Sequence, residues 1–407
     1  MSRFIINGGK ALCGDINVSG SKNAALPIIF ASIAVYGTTT LHNLPSISDV
    51  DVALDIVKSF GAKIERLGSS VKIDASELFY NIPSEDLVSK IRASSYLLGA
   101  MLVRFSTSLI RSFGGCNFGT RPIDMHLAAA RALGAEVDGI EVKAKKLRGA
   151  DIFFDKISVG ATVNALIMTA GAEGTSRIFG YAKEPHVISL IEFLRKAGAE
   201  IQIDEKCITV RGARLCSADA VVIPDMIEAG TYICLSMIDG NRIKVNGAKA
   251  SELSSFLEPF IYSGARFSLS DSSIYPIEKI KKRIDIITEP YPGFPTDLQP
   301  QCAPLLALYF GGNIREGVWN NRFGYLYELS KFGVEFEAYS GYAKILKSKI
   351  HPSHAAAPDL RGGAALMIAA LCSRGESVIE NIDVIKRGYA DVVEKLSRIG
   401  ASIYEIK

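Results

Sequence analysis

One thiol stands in a loop whose composition suits chemistry. Cys116 lies within the segment Gly114–Pro122, which carries three glycines and has an arginine at position 121. Glycine relaxes the backbone restrictions that other residues impose, so this loop could move or approach a ligand closely. Arg121 and a helix start at Pro122 would both favour the reactive thiolate form. The alternative is a small buried apolar residue in a tight turn, and these nine residues do not decide between the two.

Further polar residues collect at the beginnings of six apolar segments. These residues are Lys22-Asn23, Arg92, Ser158 with Thr162, Asp225 with Glu228, Thr296-Asp297, and Asp359 with Arg361. Ordinary N-capping explains the aspartates at 225, 297 and 359. It does not explain the cations at 22, 92 and 361, because a cation at the positive end of a helix is unfavourable by roughly 0.3–1 kcal/mol. Each cation alone is compatible with a salt bridge, but together they predict a phosphate or carboxylate ligand.

Three more arginines are predicted at the starts of outer helices, namely Arg121, Arg322 and Arg387. Singly, each fits a surface salt bridge. Together with the three cations above they make six, enough for a doubly anionic pair of substrates. Asp297 follows two prolines, at positions 292 and 295, and precedes an apolar segment. A carboxylate fixed in this way is a candidate base for a bound hydroxyl group.

The elements that position these residues recur along the chain. A phrase of glycine, a small residue and an alternating strand follows six helix ends, with the glycines at 61, 134, 198, 264, 333 and 400. These glycines are 64 to 73 residues apart. Each stands where a helix C-terminus needs a left-handed residue. The pattern predicts one unit repeated six times.

Two kinds of helix are predicted in each unit. An amphipathic helix precedes each glycine phrase, as in 187–196, and is expected on the outside. The other kind is apolar on all sides and is expected to be buried. The buried set is Asn23–Val35, Ser94–Val103, Ala161–Ala172, Ile227–Ile238, Leu298–Tyr309 and Gly362–Leu371. The sequence offers neither a dinucleotide fingerprint nor a phosphate-loop motif, which counts against a Rossmann or P-loop fold.

Composition sets outer limits on the function. With 407 residues the chain exceeds the usual size of one hydrophobic core, so two domains are expected. The 46 basic and 43 acidic residues leave a net charge of only +3, too little for a nucleic-acid or membrane partner. Seven scattered cysteines, none in a Cys-x-x-Cys pair, argue against a disulfide framework and a metal site. The longest apolar stretch, Ala24–Val35, is too short to span a bilayer and position 1 opens no signal peptide, so a cytoplasmic location is expected.

Eight ordered motifs resemble one family, the UDP-N-acetylglucosamine 1-carboxyvinyltransferases of the EPSP synthase family. They are Gly20–Pro27, Arg92–Ser94, Gly114–His126, Lys156–Thr162, Phe294–Asp297, Asn321–Phe323, Asp359–Arg361 and Arg387–Tyr389. The motifs span the chain in order, which makes the resemblance specific.

The resemblance implies a fold and a reaction. The fold is of the α/β class (α+β in some schemes), an inside-out α/β barrel or α-β prism with two similar domains, each of three βαβαββ-type units. Residues 22–224 would form the first domain, with the Cys116 loop, and residues 1–21 plus 225–407 the second, with the active site in the cleft between them. The reaction would transfer the enolpyruvyl group of phosphoenolpyruvate to the 3-hydroxyl of UDP-N-acetylglucosamine and release phosphate. This step opens peptidoglycan precursor synthesis, and with it cell-wall biogenesis, cell shape and division.

The resemblance also implies residue roles. Lys22, Asn23, Arg121 and Arg387 would hold phosphoenolpyruvate, with Lys22, Arg387, Cys116 and Asp297 catalytic. The nucleotide sugar would contact Arg92, Arg121, Pro122, Ile123, Asp124, Met125, Lys156, Ile157, Ser158, Val159, Asp297 and Val318. Arg322 and Arg361 would be additional cations, Asp297 the base for the sugar hydroxyl, and Cys116 a thiol able to add to phosphoenolpyruvate and move a proton. Some relatives carry Asp in place of this cysteine, so retention of Cys116 implies inactivation by fosfomycin. No cofactor or metal is expected, and the protein is expected to be a monomer.

Two alternatives stay open at this point. A paralogue would catalyse the same transfer to another nucleotide or sugar acceptor, because the nucleotide contacts are partly made by the backbone. A non-catalytic nucleotide-sugar sensor on the same scaffold is disfavoured by the joint presence of Lys22, Cys116, Asp297 and Arg387. Shikimate-pathway enolpyruvyl transferases share the fold but lack this cysteine loop.

Overall fold

The structure, a computed structural model, describes residues 2–110, 114 and 123–406. The chain divides into two compact units. One unit is continuous, Gly20–Ile223, and the other combines the chain up to Ser19 with the chain from Pro224 onward. We call them the continuous unit and the split unit.

Strands and helices alternate along the described chain. The strands are β1 (Arg3–Gly8), β2 (Cys13–Asn17), β3 (Tyr36–His42), β4 (Lys63–Leu67), β5 (Ser70–Asp74), β6 (Thr107–Leu109), β7 (Glu136–Asp138), β8 (Glu141–Lys143), β9 (Asp151–Phe153), β10 (Thr175–Phe179), β11 (Glu200–Ile203), β12 (Cys207–Arg211), β13 (Cys216–Val221), β14 (Arg242–Asn246), β15 (Arg266–Leu269), β16 (Ser273–Glu278), β17 (Ile284–Thr288), β18 (Gly312–Glu316), β19 (Phe336–Tyr339), β20 (Tyr342–Ile345), β21 (His354–Ala356), β22 (Gly375–Glu380) and β23 (Ser402–Ile406). The helices are α1 (Lys22–Ala31), α2 (Ser48–Lys58), α3 (Glu85–Val88), α4 (Leu97–Phe105), α5 (Asp124–Ala132), α6 (Val159–Ala170), α7 (Pro185–Lys196), α8 (Met226–Ser236), α9 (Ser254–Tyr262), α10 (Gln299–Leu308), α11 (Tyr325–Ser330), α12 (Leu360–Cys372), α13 (Asp383–Lys386) and α14 (Val392–Arg398). Short 3₁₀ turns cover Ser32–Ala34, Arg92–Tyr96, Thr296–Leu298 and Arg322–Gly324.

Each unit contains three sheets within the described residues. In the continuous unit the strand orders are β13-β3-β5-β4, β6-β8-β7 and β11-β12-β10-β9. In the split unit they are β15-β16-β14-β2, β17-β18-β20-β19 and β21-β22-β1-β23. All three sheets of the split unit, and two of the continuous unit, combine one parallel strand pairing with two antiparallel pairings. The split unit thus uses the N-terminal strand β1 at the centre of its last sheet, where Ile5 lies opposite Val378 and Tyr404.

The six apolar segments form the buried helices that the sequence predicts. Every residue of α12 from Leu360 to Leu371 is buried, and α6 is buried from Ala161 to Ala170. The amphipathic α7 instead buries one face, with Leu190, Phe193 and Leu194 directed inward. Apolar residues on all sides leave no surface that water can solvate favourably, so such helices occupy the centre of a unit.

The predicted left-handed glycines are also confirmed. All six adopt a positive φ, from 87° at Gly333 to 117° at Gly198. A residue with a Cβ is strained there, which is why glycine ends these helices. No helix in the described part of the chain combines the length and apolar character needed to cross a bilayer.

Candidate active site

Asp297 in the split unit is held by two buried arginines. Its Oδ1 accepts a hydrogen bond from Arg322 Nη2 at 2.9 Å, and its Oδ2 accepts from Arg361 Nε at 3.2 Å and Nη2 at 3.1 Å. The arginine side chains are 3% and 4% exposed, whereas that of Asp297 is 33% exposed. The carboxylate is therefore fixed from behind and open to a ligand in front.

Asp297 is not an N-cap, contrary to one interpretation of the sequence. It lies inside the 3₁₀ turn Thr296–Leu298, and its side chain is turned to the guanidinium groups. The charge-assisted hydrogen bonds from two guanidinium groups outweigh the neutral main-chain bonds that capping would give. Asp225 and Asp359 do cap their helices, each accepting from two main-chain N–H groups.

Arg361 has hydrogen-bonding capacity to spare. Burial opposes its charge, but the Asp297 carboxylate together with Tyr389 and Asp225 outweighs burial and raises the pKa of Arg361. The guanidinium carbon lies 5.9 Å from the centre of the Tyr389 ring. Its Nη1 atom is buried and has no hydrogen-bond partner among the described residues. A buried unpaired donor of this kind is costly unless a ligand supplies an acceptor.

Glu316 ties together the two loops that carry Asp297 and Val318, and the sequence did not single it out. Its Oε1 accepts from the main-chain N–H groups of Val318 (2.9 Å) and Trp319 (3.1 Å). Its Oε2 accepts from Thr296 Oγ1 at 2.9 Å, beside Asp297. Glu316 is 4% exposed and ends strand β18, and a single acidic residue in the sequence Arg-Glu-Gly gave no motif by which to find it.

The sequence predicts that Arg387 starts an outer helix, and this prediction is wrong. It is the C-cap of the short helix α13, and α14 begins only after Asp391, which has a left-handed φ of 50°. The chain turns between the two helices instead of continuing as one. Arg387 is half-buried in this turn.

A second set of site residues lies in the continuous unit, where Lys22 begins α1. Its Nζ donates to Asp49 Oδ2 at 3.2 Å, with side chains 13% and 5% exposed. The neighbouring Asn23 is half-buried. Asp49 belongs to the first turn of α2, where a carboxylate complements the helix dipole. Lys22 therefore makes the salt bridge that the sequence left open for each cation taken singly, and its anionic ligand stays a prediction.

A buried amide connects three elements of the continuous unit. Asn164 Oδ1 accepts from the Gly99 N–H at 2.8 Å, and Asn164 Nδ2 donates to the Ser95 carbonyl (3.0 Å) and to His126 Nδ1 (2.7 Å). Burial, followed by the Arg92 charge, lowers the pKa of His126 to about 4. The imidazole is therefore neutral at physiological pH and accepts at Nδ1.

The Asn164 contacts fix segments that carry predicted nucleotide-sugar residues. Arg92 opens the 3₁₀ turn that leads to α4, Ile123 precedes α5, and Asp124 and Met125 begin it. Ser158 caps α6 by accepting from the Ala161 N–H at 3.3 Å, and Val159 begins that helix. Lys156 and Ile157, which precede the cap, are exposed.

Three predicted site residues, Cys116, Arg121 and Pro122, lie outside the described residues. The described part of this loop is Gly114, where an added Cβ would lie 1.9 Å from the Ser89 carbonyl oxygen. Only glycine permits that close approach of the two backbones.

Comparison with known proteins matches the whole chain. The family model for EPSP synthase (3-phosphoshikimate 1-carboxyvinyltransferase) matches residues 6–396. UDP-N-acetylglucosamine 1-carboxyvinyltransferase 3 of Caldanaerobacter subterraneus subsp. tengcongensis is 40% identical over 100% of both chains. The enolpyruvyl transferase NikO from Streptomyces tendae is similar in structure, with a TM-score of 0.88 and 25% identity over 100% of this chain and 99% of that one. EPSP synthase from Acinetobacter baumannii has the same fold, with a TM-score of 0.74, 17% identity and full coverage of both chains.

Proposed function

Because the chain belongs to the EPSP synthase family of enolpyruvyl transferases, we propose that it transfers the enolpyruvyl group of phosphoenolpyruvate to the 3-hydroxyl of UDP-N-acetylglucosamine. In this reaction a bond forms between the sugar oxygen and C2 of phosphoenolpyruvate, the C2–O bond to phosphate breaks, and the hydroxyl proton leaves the sugar. Only the two substrates are needed, without a cofactor. The product is a precursor of peptidoglycan.

The observation that carries this proposal is the arrangement at Asp297. A base must be fixed, and it must be accessible to the hydroxyl that loses its proton. Arg322 and Arg361 fix both carboxylate oxygens, and a third of the side chain is exposed. Asp297 is accordingly assigned as the base for the sugar 3-hydroxyl. Arg361 Nη1, which has no partner within the described ranges, supplies a donor for a negatively charged or carbonyl oxygen of a substrate.

The remaining roles follow the family motifs. Lys22, Asn23, Arg121 and Arg387 are proposed to hold phosphoenolpyruvate, whose phosphate and carboxylate both require cations. The helix start at Lys22 supports this assignment, since main-chain N–H groups and the helix dipole favour an anion there. Cys116 is proposed as the loop thiol that handles a proton or forms an adduct.

The nucleotide sugar is assigned to a second set of residues. These are Arg92, Arg121, Pro122, Ile123, Asp124, Met125, Lys156, Ile157, Ser158, Val159, Asp297 and Val318. The Ser158 cap supports a phosphate at the start of α6, and the Glu316 bonds support a defined main-chain position for Val318.

The finer architecture is also proposed: an inside-out α/β barrel in each unit, built from three repeats. Support comes from three sheets in each unit and from six left-handed glycines 64 to 73 residues apart. A monomeric protein acting in the cytoplasm is proposed with it.

The test is phosphate release from phosphoenolpyruvate against a panel of acceptors. UDP-N-acetylglucosamine, UDP-glucose, UDP-N-acetylgalactosamine and shikimate 3-phosphate are each added with phosphoenolpyruvate, and inorganic phosphate is measured. We expect release with UDP-N-acetylglucosamine and a product mass that includes the enolpyruvyl group. Release only with another acceptor would establish the paralogue, and release with none would establish the sensor.

A further inference from the structure

A cavity of about 760 Å³ opens in the continuous unit away from the residues assigned to the substrates. Its lining includes Ala34, Ser106 and Gly171, which lie at the C-terminal ends of the three buried helices. Lys22, Arg92 and Ser158 lie at the opposite ends. A helix of about ten residues is about 15 Å long, so the cavity and those residues are separated by that length.

Apolar side chains form part of the inner wall of the cavity, beside a larger polar part. Leu102, Leu147, Ala172 and Leu215 line it and are at most 6% exposed. The ends of helices α1, α4 and α6 add the partial negative charge of C-terminal carbonyls to this wall. An anionic group would be repelled there, whereas a hydrocarbon or aromatic group would replace water favourably.

The mouth of the cavity is cationic. Four exposed basic residues line it, namely Lys145, Lys146, Arg211 and Arg214, against one acidic residue, Glu173. Glu173 forms an ion pair with Lys146, and Arg211 lies 3.6 Å from Glu200. Lys145 has no acidic partner among the described residues. Positive charge therefore remains at the mouth after these pairs are formed.

One side of the mouth is formed by Arg214, which stacks on the ring of Tyr36. The Arg214 guanidinium carbon lies 4.5 Å from the centre of the Tyr36 ring, and that of Arg104 lies 4.0 Å from it. Arg104 is itself fixed by hydrogen bonds to the carbonyls of Val35, Ala75 and Ser76. Stacking on a fixed ring restrains Arg214 and reduces the entropy lost when it binds a ligand.

The corresponding ends of the buried helices in the split unit are closed by side chains. Lys279, which follows a strand as Lys145 does, donates to the carbonyls of Asn241 (3.1 Å) and Ser236. Tyr309, the C-cap of α10, donates to the Met237 carbonyl at 3.2 Å. Among the described residues, neither Lys145 nor Lys146 makes such a main-chain bond. The space at the C-terminal ends of the buried helices is thus filled by side chains in the split unit and left open in the continuous unit.

We propose that this cavity binds a small amphipathic anion, with its apolar part against the inner wall and its phosphate, carboxylate or sulfonate group at the basic mouth. The volume lies within the range of small-molecule sites. This site is separate from the one assigned to the two substrates, and the inference does not depend on the proposed reaction.

Titration calorimetry with the full-length protein tests the proposal, with decyl phosphate below its micellar concentration as the probe. We expect one equivalent to bind, and decanol and inorganic phosphate each to bind at least about tenfold more weakly. Binding should be unchanged in Lys22→Ala, which separates this cavity from the substrate residues. Equal binding of decanol and decyl phosphate would overturn the proposal, as would binding only to anionic lipid vesicles.

Matched variants locate the probe. Lys145→Ala with Arg214→Ala should weaken decyl phosphate binding about tenfold, because two of the four mouth cations are removed. Ala213→Leu, which places a larger side chain in the lining, should do the same without removing a charge. Lys72→Ala with Lys206→Ala is the control, since both lysines are exposed in this unit and neither lines the cavity. Equal affinity in the mouth variant and the control would contradict the assignment.

Discussion

The two units contain similar sheets but hold their polar residues in different ways. In the split unit Asp297 is bound by two buried arginines and the adjoining loops are bound by Glu316. In the continuous unit Lys22 pairs with Asp49, and the buried segments that lead to the predicted nucleotide-sugar residues are joined by the neutral amide of Asn164. Charge fixes the geometry around Asp297, and a neutral buried network fixes it around Asn164.

This difference indicates a division of roles. A base requires a rigid position relative to the proton it removes, and a network of ion pairs provides one. A unit that carries a glycine-rich loop needs a rigid support for that loop. The buried hydrogen-bond network around Asn164 provides this support without adding charge. The predictions below test the two halves of this comparison.

The largest effect is expected at the thiol of the continuous unit. Fosfomycin carries an epoxide that a thiolate opens, so incubation with UDP-N-acetylglucosamine should add one fosfomycin mass to the protein. Cys116→Ser should abolish the adduct. Cys216→Ser is the control, because Cys216 is an exposed free thiol in the same unit. An unmodified wild-type mass after incubation would refute the role given to Cys116.

The next largest effect is expected at Asp297 in the split unit. Asp297→Asn keeps the side-chain shape but removes the base, and its amide cannot accept from both arginines. We expect kcat for phosphate release to fall about 10²–10⁴-fold. Asp285→Asn removes an exposed carboxylate of the same unit, paired with Arg283, and should leave kcat unchanged. A loss below about tenfold in Asp297→Asn would move the base elsewhere.

A smaller effect is expected when Asp297 is left intact and its support is changed. Glu316→Gln removes the negative charge of the carboxylate that accepts hydrogen bonds from Thr296 Oγ1 and from the Val318 and Trp319 N–H groups. We expect kcat/KM for the nucleotide sugar to fall about tenfold, with a rise in its KM, because loop placement and not the base is lost.

Glu328→Gln provides the matched control for this variant. Glu328 also accepts a main-chain N–H group, that of Ala356 at 2.8 Å, and it pairs with Lys331, whereas the hydrogen bonds of Thr296 and Val318 go to Glu316. It should lose similar stability and no activity. Equal kinetic losses in the two variants would indicate a general loss of folding instead of a positioning role for Glu316.

Sequence reasoning identified the elements better than the contacts. Buried helices and left-handed glycines are local features. An apolar segment such as Gly362–Leu371 therefore predicts a buried helix directly, and the phrase at Gly198 predicts a left-handed glycine. Asn164 was missed because it acts through partners distant in the chain, and Glu316 because it joins its near neighbours Val318 and Trp319 to the distant Thr296. Asn164 receives or donates hydrogen bonds at residues 38 to 69 positions away, and no spacing within one segment encodes that.

The neutral half of the comparison predicts a pH effect. The pKa of buried His126 is lowered to about 4, whereas an unfolded histidine titrates near 6.5. Between these values the unfolded chain binds the extra proton, so stability is present above pH 6.5 and lost as the pH falls toward 4. The loss from this residue is about 3 kcal/mol.

Urea unfolding at pH 7, 5.5 and 4.5 measures that effect. In His126→Gln, whose carbonyl can still accept from Asn164, the fall in stability between pH 7 and 4.5 should be smaller than in the wild type. His351→Gln, at an exposed position, should retain the wild-type slope. Parallel slopes in all three proteins would mean that Asn164 is held without a neutral imidazole.

The smallest effect compares one helix cap in each unit. Asp225 accepts two main-chain N–H groups, at 2.8 and 3.2 Å, and Ser158 accepts one at 3.3 Å. Replacing a cap by alanine costs about 0.5–2 kcal/mol, so Asp225→Ala should lie near the upper end and Ser158→Ala near the lower. If Ser158 also contacts the nucleotide sugar, Ser158→Ala should lose more affinity for UDP-N-acetylglucosamine than Asp225→Ala, although it loses less stability. Calorimetry measures the affinity, and urea midpoints measure the stability. A Ser158→Ala protein that binds as the wild type does would leave this residue a cap alone and remove it from the proposed nucleotide-sugar contacts.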